Sequence, residues 1–347
     1  MAGKRIQIVP LFTAFAAVIL ILDSKTATIA AAEAVILWLQ VVIPSLFPLM
    51  VLSMLFTANF SAGNLRILKP IGRLVGLPPG TESLILTSFV SGYPTGAKCI
   101  AQVSQSGALT KADAQILMAC FSNAGPSFIF GMISGMFHSH GAPWMIWAIQ
   151  ILSGLCVAML YRPRNMSDKS HPGGEVLTLT GILQTAIRSM ASICGWVLLF
   201  RCFLAYLDKW FMNEFPATVR VIIMGLLELT NGCMALEGIE LESLRFVVCC
   251  VLLSFGGLCV IMQTKSVVGD LGIIPYIRGK LFQSCFSAIF AASTAFFLYT
   301  QNQYRFLGIL FPCIVTISIG VYRKRVENGK ISVAFPSIKV YNNRNNA

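Results

Sequence analysis

Ten apolar runs, each close to the length that crosses a bilayer, decide what this chain can fold into. They fall at residues 6–22, 29–58, 84–103, 114–137, 141–161, 179–207, 217–236, 244–263, 279–299 and 305–321. A span needs about 20 apolar residues, roughly 30 Å of hydrocarbon at about 1.5 Å per helical residue. Of the 347 residues, 56% are hydrophobic and 12% charged, too apolar a mixture for one soluble core. The fold class expected is therefore all-α, a polytopic membrane protein.

Charge placement orders the runs. The net charge is +12, and the basic residues sit between the runs and in the tail. Such placement reports orientation in a membrane and argues against a nucleic-acid partner. The connections bearing Arg66, Lys69 and Arg73; Arg162, Arg164 and Lys169; Lys265, Arg278 and Lys280; and Arg323, Lys324 and Arg325 are predicted to face the cytoplasm. Those bearing Asp23 and Glu33, Asp208 and Glu214, and Glu237, Glu240 and Glu242 are predicted to face away. Both sets agree if the runs at 84–103 and 217–236 enter and leave by the same side, which leaves about eight spans plus two re-entrant hairpins.

Those two runs also contain helix breakers: Ser91-Gly92-Tyr93-Pro94-Thr95-Gly96 in the first, Thr230-Asn231-Gly232 in the second. After each comes a span broken near its middle, at Asn123-Ala124-Gly125-Pro126-Ser127 and at Ser254-Phe255-Gly256-Gly257. The pattern reads as an inverted repeat of the kind carriers use to hold a solute near the midplane. The expected organisation is an N-terminal span over 1–33, which can also act as a signal anchor or be cleaved, then a first repeat over 34–161 with its hairpin and an extra span. A basic cytoplasmic loop over 162–178 precedes a second, inverted repeat over 179–275. A pair of spans over 276–321 and a basic cytoplasmic tail over 322–347 complete the chain.

Breaks in hydrocarbon survive only where protein buries them or a wet cavity reaches them, so they should meet inside. The free amides of a half-helix suit a carboxylate or phosphate. The candidate substrate-binding residues are Ser91, Gly92, Tyr93, Thr95, Gly96, Lys98, Asn123, Ser127, Thr230 and Asn231. Lys98 is either a substrate cation or a lysine snorkelling to cytoplasmic water. Glu228 is expected across a pseudo-twofold axis from Lys98, as counter-charge or as a proton or cation coupling site, with Lys265 as a second cation. Arg188 and Arg201 read as interfacial, and Trp144, Trp147 and Trp210 as interfacial anchors.

Catalytic patterns do not fit. Gly92 to Lys98 spells GxxxGxK, not the GxxxxGK of a phosphate loop, and Thr95 to Lys98 is TxxK without the companions of an acyl-serine enzyme. No enzymatic activity, cofactor or metal site is expected. The eleven cysteines form no CxxC pair, and most lie inside apolar runs as small core residues.

The string Ser91-Gly92-Tyr93-Pro94-Thr95-Gly96-Ala97-Lys98, with Ile43-Pro44-Ser45-Leu46-Phe47-Pro48 before it and Asn123-Ala124-Gly125-Pro126-Ser127 after it, resembles the YlbJ-type sporulation integral membrane proteins. That family lies within a wider group carrying the nucleoside-recognition or Gate domain. The resemblance covers residues 34–135 best and 180–275 more faintly. It implies an endospore-forming bacterium, a role in spore cortex formation and a place in the outer forespore membrane. It also implies transport of dipicolinate, a small organic anion, out of the mother cell. Partners would then be this anion and the lipid bilayer, with a homo-oligomer left open. A nucleoside carrier and a non-transporting scaffold for spore envelope assembly are the alternatives.

Overall fold

In the computed structural model, residues 8–59, 66–77, 82–105, 107, 109–161, 178–300 and 307–327 are described. The loop calls on Arg162, Arg164 and Lys169, and the tail beyond 327, lie outside them. The described residues are helical throughout, with no strands.

Helix α1 (Ile8–Leu22) turns at Asp23 into α2 (Ser24–Leu37), which runs through a π turn at Trp38–Val42 into α3 (Ile43–Asn59). Pro44 has no amide hydrogen to offer the preceding turn, and the wider turn absorbs the missing bond. A short α4 (Lys69–Val75) leads to the first hairpin, α5 (Ser83–Ser91) and α6 (Thr95–Gln105). Next come α7 (Lys111–Cys120), an unwound segment over 121–125, and α8 (Pro126–Phe128), continued by a π turn at Ile129–Ile133. Two long helices follow, α9 (Ala142–Tyr161) and α10 (Leu179–Phe211).

The second hairpin is α11 (Ala217–Leu227), an extended Glu228, and α12 (Leu229–Met234) with a 3-10 turn at Ala235–Gly238. Then α13 (Glu242–Phe255) breaks at Gly256 before α14 (Gly257–Val267). The last helices are α15 (Ile274–Tyr299) and α16 (Leu307–Glu327).

Among the described residues, six helical segments are long and apolar enough to cross a membrane: Ser24–Leu52, Ala142–Tyr161, Leu179–Glu214, Glu242–Val267, Ile274–Tyr299 and Leu307–Arg325. The chain is a multi-pass membrane protein. Two of the eight expected spans fall short of that criterion for a plain reason of length. Helix α1 has 15 described residues, and the run at 114–137 is divided by its unwound middle.

Loop contacts sort the connections into two ends. At one end, Gly320 lies near Leu74 and Met159, Gly269 near Gln105, and Gly272 near Gln115. Arg323 donates there to the Leu160 carbonyl. Lys69, Arg73, Lys111 and Lys265 belong to this end. At the other, Lys209 pairs with Asp23 at 2.6 Å, Arg220 with Asp208 at 2.8 Å, and His138 with Glu242 at 2.8 Å. Arg245 donates to the carbonyls of Met136 and Ile239 at the same end.

Helix α15 is built with its polar face inward. Tyr276, Lys280, Gln283, Ser287 and Thr294 recur at helical spacing and are all fully buried, while Leu281, Phe282, Ile289 and Phe296 on the opposite face are exposed. Exposed apolar side chains are what lipid requires, and polar groups then need partners inside the bundle. Here the structure corrects the sequence reading: Lys280, expected in a cytoplasmic connection, lies inside the bundle within α15, because that helix begins at Ile274, six residues earlier.

Candidate functional site

The interruptions of the two hairpins each dock on the interruption of the broken helix that follows. Gly92 takes a left-handed φ of +76°, and a Cβ there would lie 2.9 Å from the backbone nitrogen of Gly125. One turn on, a Cβ at Gly96 would collide with the Phe121 carbonyl. Only glycine permits these approaches. In the second half the same relation holds between Gly257 and the end of α11, where a Cβ would lie 2.8 Å from the Gly225 carbonyl oxygen.

Gly125 of the first pair lines a cavity that the second hairpin reaches through Glu228. It is small, about 30 Å³, and partly open to the surroundings, and is lined by Tyr93, Gly125 and Phe128 from the first half and Glu228, Thr230 and Gln263 from the second, with Val42 and Leu46 closing one wall. The Tyr93 hydroxyl makes a long bond of 3.5 Å to the Leu253 carbonyl, joining the first hairpin to α13.

Glu228 is 2% exposed and caps α12. Its carboxylate accepts from the Thr230 amide at 3.1 Å, the Asn231 amide at 2.7 Å and the Asn231 side-chain amide at 2.6 Å. A carboxylate at a helix N-terminus is favoured by the free amides and the dipole. Thr230 and Asn231 thus belong to the site, Asn231 by holding Glu228.

Other candidates are placed elsewhere. Ser91 donates its hydroxyl at 2.5 Å to the Thr87 carbonyl of its own helix. Thr95 is buried at the start of α6. Lys98, half-buried one turn into α6, does not line the cavity, and the structure pairs neither it nor Lys265 with Glu228. The Lys265 ammonium instead caps the turn after α14, donating at 3.1 Å to the carbonyls of Gly269 and Leu271. The Ser127 hydroxyl oxygen is buried and without a partner. Arg201 pairs with Glu33 at 2.5 Å, and Trp144 and Trp210 are exposed.

Asn123 opens onto a second polar centre that sequence reasoning missed. Its side chain donates at 2.9 Å to the Cys120 carbonyl and accepts at 2.6 Å from Gln283. Gln283 also accepts at 2.9 Å from Lys280, whose ammonium donates further to the Ser122 carbonyl. Gln150 on α9 reaches Ser254 at 2.8 Å, beside the break in the second half. Ser287 donates at 2.9 Å to the Cys250 carbonyl of α13. The polar spacing of Tyr276, Lys280, Gln283 and Ser287 was the available signal.

Over 304 residues the chain is 22% identical to the sporulation integral membrane protein YlbJ of Bacillus subtilis (strain 168), a match covering 73% of this chain and 74% of that protein. It is a distant homologue of that membrane protein. No family model matches the chain, and no solved structure matches it.

Proposed function

We propose that this chain is an alternating-access carrier and that the cavity between Tyr93 and Glu228 is where its solute binds. One observation carries the reading: the interruptions of both hairpins, at Tyr93 and Glu228, and that of the first broken helix, at Gly125, line a single cavity whose wall is completed by Val260 and Gln263 of α14. Interrupted backbone at membrane depth is tolerated where it lines such a space. The hairpins start from opposite ends of the bundle, so the proposed topology has eight crossings, two re-entrant hairpins and an inverted repeat. Rocking one half against the other then opens the cavity to each side in turn. The basic end faces the cytoplasm.

Dipicolinate, moved from mother cell to forespore across the outer forespore membrane, is the substrate we propose. The cavity lining contains a carboxylate and no cation, so in this reading a dianion enters together with a proton or cation, with Glu228 as the coupling residue. The likeness to a sporulation integral membrane protein supports the setting in sporulation, within which we propose a role in cortex formation. A nucleoside, the solute suggested by the Gate group, is the second reading. It is favoured by a cation-free lining in which Tyr93, Thr230 and Gln263 offer neutral donors and acceptors.

Uptake of labelled dipicolinate and labelled uridine into proteoliposomes, with and without an inward proton gradient, tests both. Saturable, proton-driven dipicolinate uptake that is lost in Glu228→Gln is expected. Uridine uptake alone would replace the anion reading with the nucleoside one. Neither solute rising above empty vesicles would remove the carrier reading.

A further inference from the structure

We infer that the Lys280 ammonium fills a built-in monovalent-cation site, a tethered replacement for the ion that would otherwise close the break between α7 and α8. At Cys120 helix α7 ends, and its last carbonyls carry the negative end of the helix dipole. Beyond it the chain unwinds through Ser122 and Asn123. Around the Lys280 nitrogen stand three oxygens: the Ser122 carbonyl, the Gln283 side-chain carbonyl at 2.9 Å and, more distantly, the Asn123 side-chain carbonyl at 3.5 Å. Lys280, Ser122, Asn123 and Gln283 are each 0% exposed.

Among the described residues no carboxylate pairs with Lys280; the Cys120 thiol is nearby and the Tyr276 ring lies 6.0 Å from the ammonium. Neutral oxygens gathered at the C-terminal end of a half-helix are the donor set with which broken helices bind Na⁺, and hard cations take oxygen ligands. An ammonium has three hydrogens for the same three acceptors. A buried lysine with neutral oxygen partners is costly unless its charge has a task. Its task here is to hold the break shut without a dissolved ion, so the folded protein needs no Na⁺ at this position. Occupancy of the site is read without transport and does not rest on the carrier reading.

The test is the melting temperature of the purified full chain in detergent, at fixed ionic strength, in choline, potassium, sodium or methylammonium chloride. Wild type is expected to melt at one temperature in all four. Lys280→Ala is expected to melt several degrees lower in choline and to recover, saturably, in methylammonium or sodium. An unchanged melting temperature in choline, a loss that neither cation repairs, or a wild type that itself requires sodium would overturn the inference. Should Lys280→Ala fail to fold, Lys280→Gln decides, since it keeps a neutral donor of shorter reach. Wild-type stability in that variant would show that the positive charge is dispensable and would overturn the inference, as would a loss that sodium does not repair. A loss that sodium repairs would support it. Failure of solute uptake bears on the carrier reading alone and leaves these outcomes standing.

Discussion

At Glu228 the carboxylate serves helix α12 and the cavity together, and two substitutions separate those roles. Glu228→Ala removes the cap and should lower stability by about 1 kcal/mol, read as a lower melting temperature. Glu228→Gln keeps one acceptor oxygen, enough for the two Asn231 groups but not also for the Thr230 amide, and should melt between wild type and Glu228→Ala while losing proton-driven uptake. Lys98 is outside the cavity, so Lys98→Ala should change the apparent affinity for a dicarboxylate less than about fivefold, the scale of a partly solvated charge. An order of effects in which Lys98→Ala is the more damaging would move the site to the first hairpin. Glu228, Thr230, Asn231 and Tyr93 were legible in the sequence because helix breakers surround them. Lys280 was not, because Arg278 and Gly279 precede it at the edge of an apolar run and it reads as one more loop charge; the polar spacing that buries it becomes visible only when the helix is extended back to Ile274.

The helices themselves follow the apolar runs closely, as with the run at 141–161 and helix Ala142–Tyr161. What periodicity could not supply is which interruption meets which, since that depends on contacts between residues far apart in sequence. Those contacts make a sharp prediction at the hairpins. A Cβ at Gly232 would strike Gly225 in α11, the facing helix of the second hairpin, whereas one at Gly195, mid-way along α10, meets nothing within 4 Å. Gly232→Ala should therefore destabilise by about 1–3 kcal/mol, and Gly195→Ala should be neutral or stabilising by up to about 1 kcal/mol. Thermal melting of the two variants side by side checks the pair. Between α2 and α10, the hydrogen bond from Lys209 holds the Asp23 carboxyl below its usual pKa. A lowered folded-state pKa means that its stabilisation is present above the ordinary carboxylate range and is lost as pH falls through the folded value. Lys209→Gln should abolish that acid-side loss with little effect at neutral pH, because the pair is exposed.

For the molecule as a whole, the two ends identified by loop contacts should face opposite sides of the bilayer. Single cysteines introduced at His140 and Ser266, both exposed, should react with an impermeant maleimide from opposite faces of sealed vesicles. Labelling from the same face would require a different number of crossings. The inward polar face of α15 also bears on how the chain is made. A helix carrying lysine, glutamine and serine on one side partitions poorly into lipid by itself, a lysine costing up to about 2.5–3.5 kcal/mol near the centre of a span. The partners that relieve this cost, Ser122, Asn123, Gln150 and Cys250, all lie earlier in the chain. During synthesis α7, α9 and α13 have then already been made when α15 emerges, so the helix that carries the polar side chains arrives after the helices that receive them.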